Sequence, residues 1–161
     1  MADRGGIGIQ IDSRKVQRLM TVAPQRVAAA KNEILQRGSI MTQAEMRINA
    51  PVHDGELRRS IRPKWQGRDT VVVFSDMKYA KTVEVGRRPN GKLPPYQLGT
   101  PLAKWVRDKM GAAVPPFLVA RSIARKGTKP SRFAAKTYVK MKPEVNKMAD
   151  QVISKTIKGL R

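Results

Sequence analysis

The chain contains no cysteine, so disulfides and thiolate-held metals are excluded. A cysteine-free chain fits assembly in a reducing cytoplasm. Its single histidine, His53, removes any two-histidine metal site built within one copy. The 12 acidic residues among 161 are scattered, with no D-x-D or E-x-K pair at a strand end. A two-metal nuclease, which needs clustered carboxylates, therefore has no candidate ligands. G-x-S-x-G and Walker spacings are also missing. Aromatics make up 5% of residues, which predicts an aliphatic, methionine-rich core. No apolar run approaches the roughly 20 residues that span a bilayer, and the N-terminus lacks the pattern of a signal peptide. The expectation is a chain with no membrane span, no export signal, no metal and no cofactor.

Positive charge is what the chain has in surplus. Thirty-three Lys and Arg against 12 Asp and Glu give +21, and such an excess repels itself unless something acidic lies near. Nucleic acid, an acidic protein surface or an anionic membrane could each supply that counter-charge. From charge alone the default class is a ribosomal or nucleoid type of nucleic-acid-binding protein. Forty per cent apolar residues nevertheless mark a sequence that folds, and 161 residues can bury a modest core.

Alternating Ile7, Ile9 and Ile11 predict a short strand over residues 6–12, followed by a short helix from Ser13 to Met20. Pro24 suits the first position of a helix. Val27, Ala30, Ile34, Met41 and Ile48 then recur at helical spacing, predicting an amphipathic helix over 24–49. Gly38–Ser39 is expected to kink or split it, and Pro51 to end it. Asp54–Gly55 forms a turn, with Asp54 capping the stretch GELRR. Strands are expected at Ser60–Trp65 and Thr70–Ser75, joined by QGRD, with Pro63 placing the first at a sheet edge. A helical turn over Met77–Val85 ends at Gly86.

After the loop RRPNGKLPPYQLG, Thr100 caps a helix with Leu102, Trp105, Val106 and Met110 on one face and Gly111 as its stop. Another helix covers Pro116–Lys126, with Phe117, Ala120, Ile123 and Ala124 inward and Gly127 as terminator. Residues 132–141 read as helical, and Pro143 as the start of a final helix with Val145, Met148, Val152 and Leu160 on one face. No internal repeat stands out. The fold class is α+β: a small, mainly antiparallel sheet packed against long amphipathic helices, with a helical C-terminal region. One domain spans 1–161, comprising an N-terminal arm (1–23), a helix and hairpin core (24–86), a proline-rich loop with a tryptophan-bearing helix (87–114), and a basic helical region (115–161).

His53 beside Asp54 and Glu56 is the one neighbourhood that invites acid–base chemistry. The simpler reading is a loop histidine next to a helix cap, and no catalytic residue is assigned.

Four stretches resemble one family. APVHDGELRRSI is similar to its signature APV-x-T-G-x-L-R-x-S-I, and YAKTVEVG to its YA-x-x-V-E-x-G turn. GRRPNGKLPPYQLGTPLAKWVRDKMG resembles an insertion carrying a proline-rich loop and a tryptophan helix. FLVARSIARKGTKPSRFAAKTY resembles ARSIARKGTKP-x-x-F before the last helix. The family comprises tail-completion and minor tail components of long-tailed bacteriophages, and the resemblance extends over residues 24–160. Asp54 stands where the signature has threonine, and SRFAAKTY lacks the usual proline.

The resemblance implies a structural virion protein of the neck or tail, assembled in the host cytoplasm. It would complete the tail or join it to the filled head as a ring around the DNA path, sixfold by first expectation and twelvefold by second. Neighbouring connector and tail-tube proteins would be its partners. Pro51, Asp54, Gly55, Leu57, Ser60, Tyr79, Ala80, Glu84 and Gly86 read as fold determinants. Glu84 is expected to pair with Arg87 and Arg88, and Tyr79, Ala80 and Val83 to seat a turn against the hairpin. Twelve basic residues against two acids from Arg121 onward place candidate contacts to DNA or an acidic partner at Arg121, Arg125, Lys126, Lys129, Arg132, Lys136 and Lys140.

Overall fold

The structure, a computed structural model, describes residues 24–158 and the backbone of residues 7–11. The expected Ser13–Met20 helix and Leu160 lie outside the described residues. The chain divides into two compact units. One is formed by residues 1–80 with 133–161, and the other by residues 81–132.

The first unit is organised by two 26-residue helices, α1 (Pro24–Asn49) and α6 (Phe133–Lys158). Asn49 at the end of α1 bonds Thr137 near the start of α6, so the helices run antiparallel. Their seam is aliphatic. Val27, Ala30, Ile34 and Leu35 of α1 cluster with Met141, Val145, Met148 and Val152 of α6 and with Val71 of the sheet. Burying side chains of this size stabilises by roughly 1.5–3 kcal/mol each.

The buried stripe of α1 differs from the expected one at three positions. Leu35 and Met46 are fully buried, whereas Ile48 is 67% exposed. Gly38 and Ser39 lie on the buried face of an unbroken helix. Glycine there costs about 1 kcal/mol in propensity, yet the helix continues through it. The Ser39 hydroxyl donates to Gln36 O at 2.8 Å within the helix.

The C-terminal region also corrects the sequence reading. Pro143 does not start a helix; it lies inside the single helix α6. Proline removes the hydrogen bond to the carbonyl four residues back, here that of Val139. Both Val139 and Pro143 are exposed, so water can satisfy that carbonyl while the buried face runs on from Thr137 to Val152.

The sheet has three antiparallel strands in the order β1 (Ile7–Ile11), β3 (Val71–Ser75), β2 (Ile61–Trp65). Central β3 alternates buried Val71, Val73 and Ser75 with half-buried Val72 and Phe74, which gives it one inward face. Pro63 sits opposite Val73 on the edge strand β2, where its missing donor does least harm. A short helix, α2 (Glu56–Ser60), leads into β2.

The second unit contains most of α3 (Ala80–Val85), then α4 (Pro101–Met110) and α5 (Pro116–Lys126). Thr100 caps α4 as expected, its hydroxyl accepting from Ala103 N at 3.3 Å. The inward side of α4 centres on Ala103 and Val106, with Met110 exposed; on α5 it is Ala120 that is buried, and Phe117 is exposed. Phe117 instead meets the Tyr96 ring edge-on at 5.4 Å, a favourable aromatic geometry.

Candidate functional site

The first motif segment acts as a corner that ties α1 to the sheet. The Arg58 guanidinium donates to Ala50 O at 3.1 Å and to Ile48 O at 3.2 Å, so it caps carbonyls that the end of α1 leaves open. Gln43 Nε2 and Arg47 Nη2 both donate to Ile61 O at 2.9 Å, which fixes the start of β2 on the helix. Ser60 Oγ lies 2.7 Å from Ser75 Oγ, bridging α2 to the end of β3. Leu57 and Ile61 are buried. Pro51 follows α1 on the surface.

Asp54 caps one position away from the expected geometry. Its carboxylate accepts from Glu56 N at 3.1 Å, while the residue preceding α2 is Gly55, which makes no side-chain cap. Asp54 O also accepts from Arg59 Nη2 at 3.0 Å. Nearby, Tyr79 is held above its ordinary pKa of 10.0, first by burial and then by the negative charges of Asp54 and Glu56. Ala80, beside it, is fully buried. Near His53 the geometry is thus that of a braced turn.

Four further polar contacts, with no signal in the sequence pattern, hold the same unit. Lys31, buried on α1, pairs with Asp69 in the β2–β3 turn. Asn49 Nδ2 donates to Glu45 Oε1 and to Thr137 Oγ1, both at 3.0 Å, and Glu45 Oε2 accepts from Lys140 Nζ at 2.8 Å. The lysine expected to face a partner is therefore ion-paired within its own unit. Lys136 is exposed on α6 of that unit, and Arg121, Arg125, Lys126, Lys129 and Arg132 are exposed in the other.

In the second unit, the two motif glycines form a clasp. Gly86 ends α3 and Gly127 ends α5, each at φ 73°, a left-handed conformation that favours glycine. A Cβ on Gly86 would lie 2.4 Å from Thr128 O, and one on Gly127 would lie 2.2 Å from Arg87 O. Between them, Arg87 N donates to Thr128 O at 3.1 Å and Thr128 N to Arg87 O at 3.0 Å. Asn90 and Gly91 donate to Arg125 O and Ala124 O, while Ser131 and Arg132 donate to Val83 O and Glu84 O. Each loop thus bonds back to the end of the other loop's helix, in a near-twofold arrangement. The signal for it in the sequence is a short repeat, GRRP at 86–89 and GTKP at 127–130.

Glu84, the buried acid of this clasp, offers its main-chain carbonyl to Arg132 N at 3.1 Å. The Arg87 guanidinium donates to Lys92 O at 2.8 Å. Among the described residues, no cluster of three His, Cys, Asp or Glu side chains could hold a metal. No described helix is long and apolar enough to cross a membrane.

Residues 14–86 match the model of the HK97-gp10-like family, described as "Bacteriophage HK97-gp10, putative tail-component". The match takes in the APVHDGELRRSI corner and the YAKTVEVG turn and ends at Gly86. The two later stretches of resemblance lie beyond it. No curated protein and no solved structure matches the chain.

Proposed function

We propose that this chain is a bacteriophage tail component that completes the tail or joins it to the DNA-filled head, as a ring of identical subunits around the DNA path. The family match over residues 14–86 carries the reading. Head-to-tail contacts between copies must close into a ring or polymerise, and sixfold order is the arrangement we favour over twelvefold. Exposed aliphatic side chains support such contacts: Ile40, Ile48 and Val52 in and after α1, and Val139 on α6. Residues 1–161 act together as one functional unit, with 81–132 inserted into the body. The protein works by fitting neighbouring connector and tail proteins, without turning over a substrate, and it assembles in the host cytoplasm.

Negative-stain imaging and mass measurement of the purified 18.0 kDa chain test this directly. Closed rings are expected, along with the protein's presence in mature particles. Monomers at all concentrations, and particles lacking the protein, overturn the proposal. The net charge of +21 favours a second reading, a nucleic-acid-binding protein of ribosomal or nucleoid type. In that case the purified chain coats DNA as monomers.

A further inference from the structure

The clasped loops have a composition that points to one kind of partner. Residues 86–92 (GRRPNGK) and 127–132 (GTKPSR) contain cations, small polar residues, glycine and proline, and no aliphatic or aromatic side chain. Segment 81–132 as a whole carries twelve Lys and Arg against two acids. One of those acids, Glu84, is buried. Arg88, Lys92, Lys129 and Arg132 in the loops, and Arg125 and Lys126 at the end of α5, are all exposed.

We propose that this clasp is a contact site for the phosphate backbone of duplex DNA, read without sequence preference. The inference deepens the proposed position beside the genome and rests on it. Protein–protein interfaces are enriched in aromatics and Met as well as in Arg, and these loops carry Arg and Lys with no aromatic or Met. Phosphate is contacted by Arg and Lys together with Ser, Thr and Asn, the residue types the two loops present. The clasp also fixes the loop backbones through mutual hydrogen bonds, so binding orders side chains alone, which lowers its entropic cost. Lys140, outside the clasp, is already paired with Glu45.

The test uses the full chain and a fluorescent random-sequence DNA duplex, with anisotropy followed from low to physiological salt. Arg88→Ala/Lys92→Ala/Lys129→Ala is compared with Lys147→Ala/Lys155→Ala/Lys158→Ala, an equal loss of charge on α6. Counterion release predicts that the clasp variant loses about two to three units of the log–log salt slope and at least about tenfold in low-salt affinity. The control should lose clearly less. Acetylation of wild-type protein supplies a readout that no folding defect can affect: duplex should protect Lys92 and Lys129 and leave Lys147 and Lys155 reactive. Equal losses in the two variants, or equal protection of all four lysines, overturn the proposal. So does protection of the clasp by poly-L-glutamate and not by duplex, which would assign the surface to an acidic protein. Because ring formation is scored separately by imaging, DNA contact can fail while the ring stands.

Discussion

Asn49 Nδ2 lies 3.0 Å from the hydroxyl of Thr137, a side chain with no exposure to solvent. This contact joins the last turn of α1 to the first turns of α6 across 88 positions of sequence. Thr137 in turn donates to Phe133 O at 2.7 Å. The amide also holds Glu45, which carries the outer Lys140 pair. The order of importance should follow burial. Asn49→Ala is expected to cost about 1–3 kcal/mol, because it removes one bond from the buried Thr137 hydroxyl and one from the half-buried Glu45. Lys140→Ala should cost less than about 1 kcal/mol, since its side chain is 64% exposed and screened. Urea unfolding of the two variants compares them, and equal losses would show that the inner bond carries no special weight.

Pro143 provides a second quantitative expectation. It lies inside α6 and is solvent-exposed. Replacement by alanine restores a hydrogen bond to Val139 O and removes a ring from the helix interior. Propensity alone favours alanine by about 3 kcal/mol, part of which is returned through greater freedom of the unfolded chain. Pro143→Ala should therefore raise the urea midpoint with an unchanged slope. A lower midpoint would mean that the proline sets a bend which α6 needs against α1.

Elements whose ends are set locally were legible in the sequence. Pro24, Pro101 and Pro116 open helices at the positions expected, and Gly111 and Gly127 close two of them. Strand β3, with its TVVVF run, was equally plain. What failed depended on distant packing. A helix of 26 residues can present several stripes, and only its packing against distant parts of the chain selects Leu35 and Met46 over Ile48. Both long helices also run unbroken through the local signals of Gly38–Ser39 and Pro143. The corner built by Arg58 and the clasp of Gly86 with Gly127 rest on main-chain carbonyls, which leave almost no mark on side-chain pattern. For the clasp that mark was a glycine and a proline three residues apart, occurring twice.

The clasp makes its own stability prediction. Alanine at Gly86 or Gly127 would be held at φ 73°, which costs an L-residue roughly 1–2 kcal/mol. The new methyl carbon would also press on the backbone of the opposite loop. Such contacts cannot be relieved by turning a side chain. Each variant should lose well over about 1 kcal/mol, with hydrogen exchange speeding up at Arg87, Thr128, Ser131 and Arg132. Gly67→Ala is the control: its φ is also 73°, but its Cβ meets nothing within 4 Å. A clasp variant no worse than this control would show that the two loops are not bound to one another in solution.

Tyr79 links the motif corner to alkaline pH. Burial and the charges of Asp54 and Glu56 raise its pKa above 10.0 in the folded chain, so the folded state holds the phenolic proton more tightly than the unfolded state does. Stability from this group is complete below the unfolded value near pH 10 and is lost as pH rises through the folded value. Tyr79→Phe has no proton to lose and should show a shallower decline in stability over that range. Asp54→Asn should lower the Tyr79 value, though it cannot abolish the shift, because burial is the larger cause. Phenolate absorbance in the three single-tyrosine variants identifies which group titrates, and urea midpoints across alkaline pH supply the slopes. Parallel slopes for wild type and Tyr79→Phe would place the alkaline loss elsewhere and would separate Tyr79 from the stability of the corner.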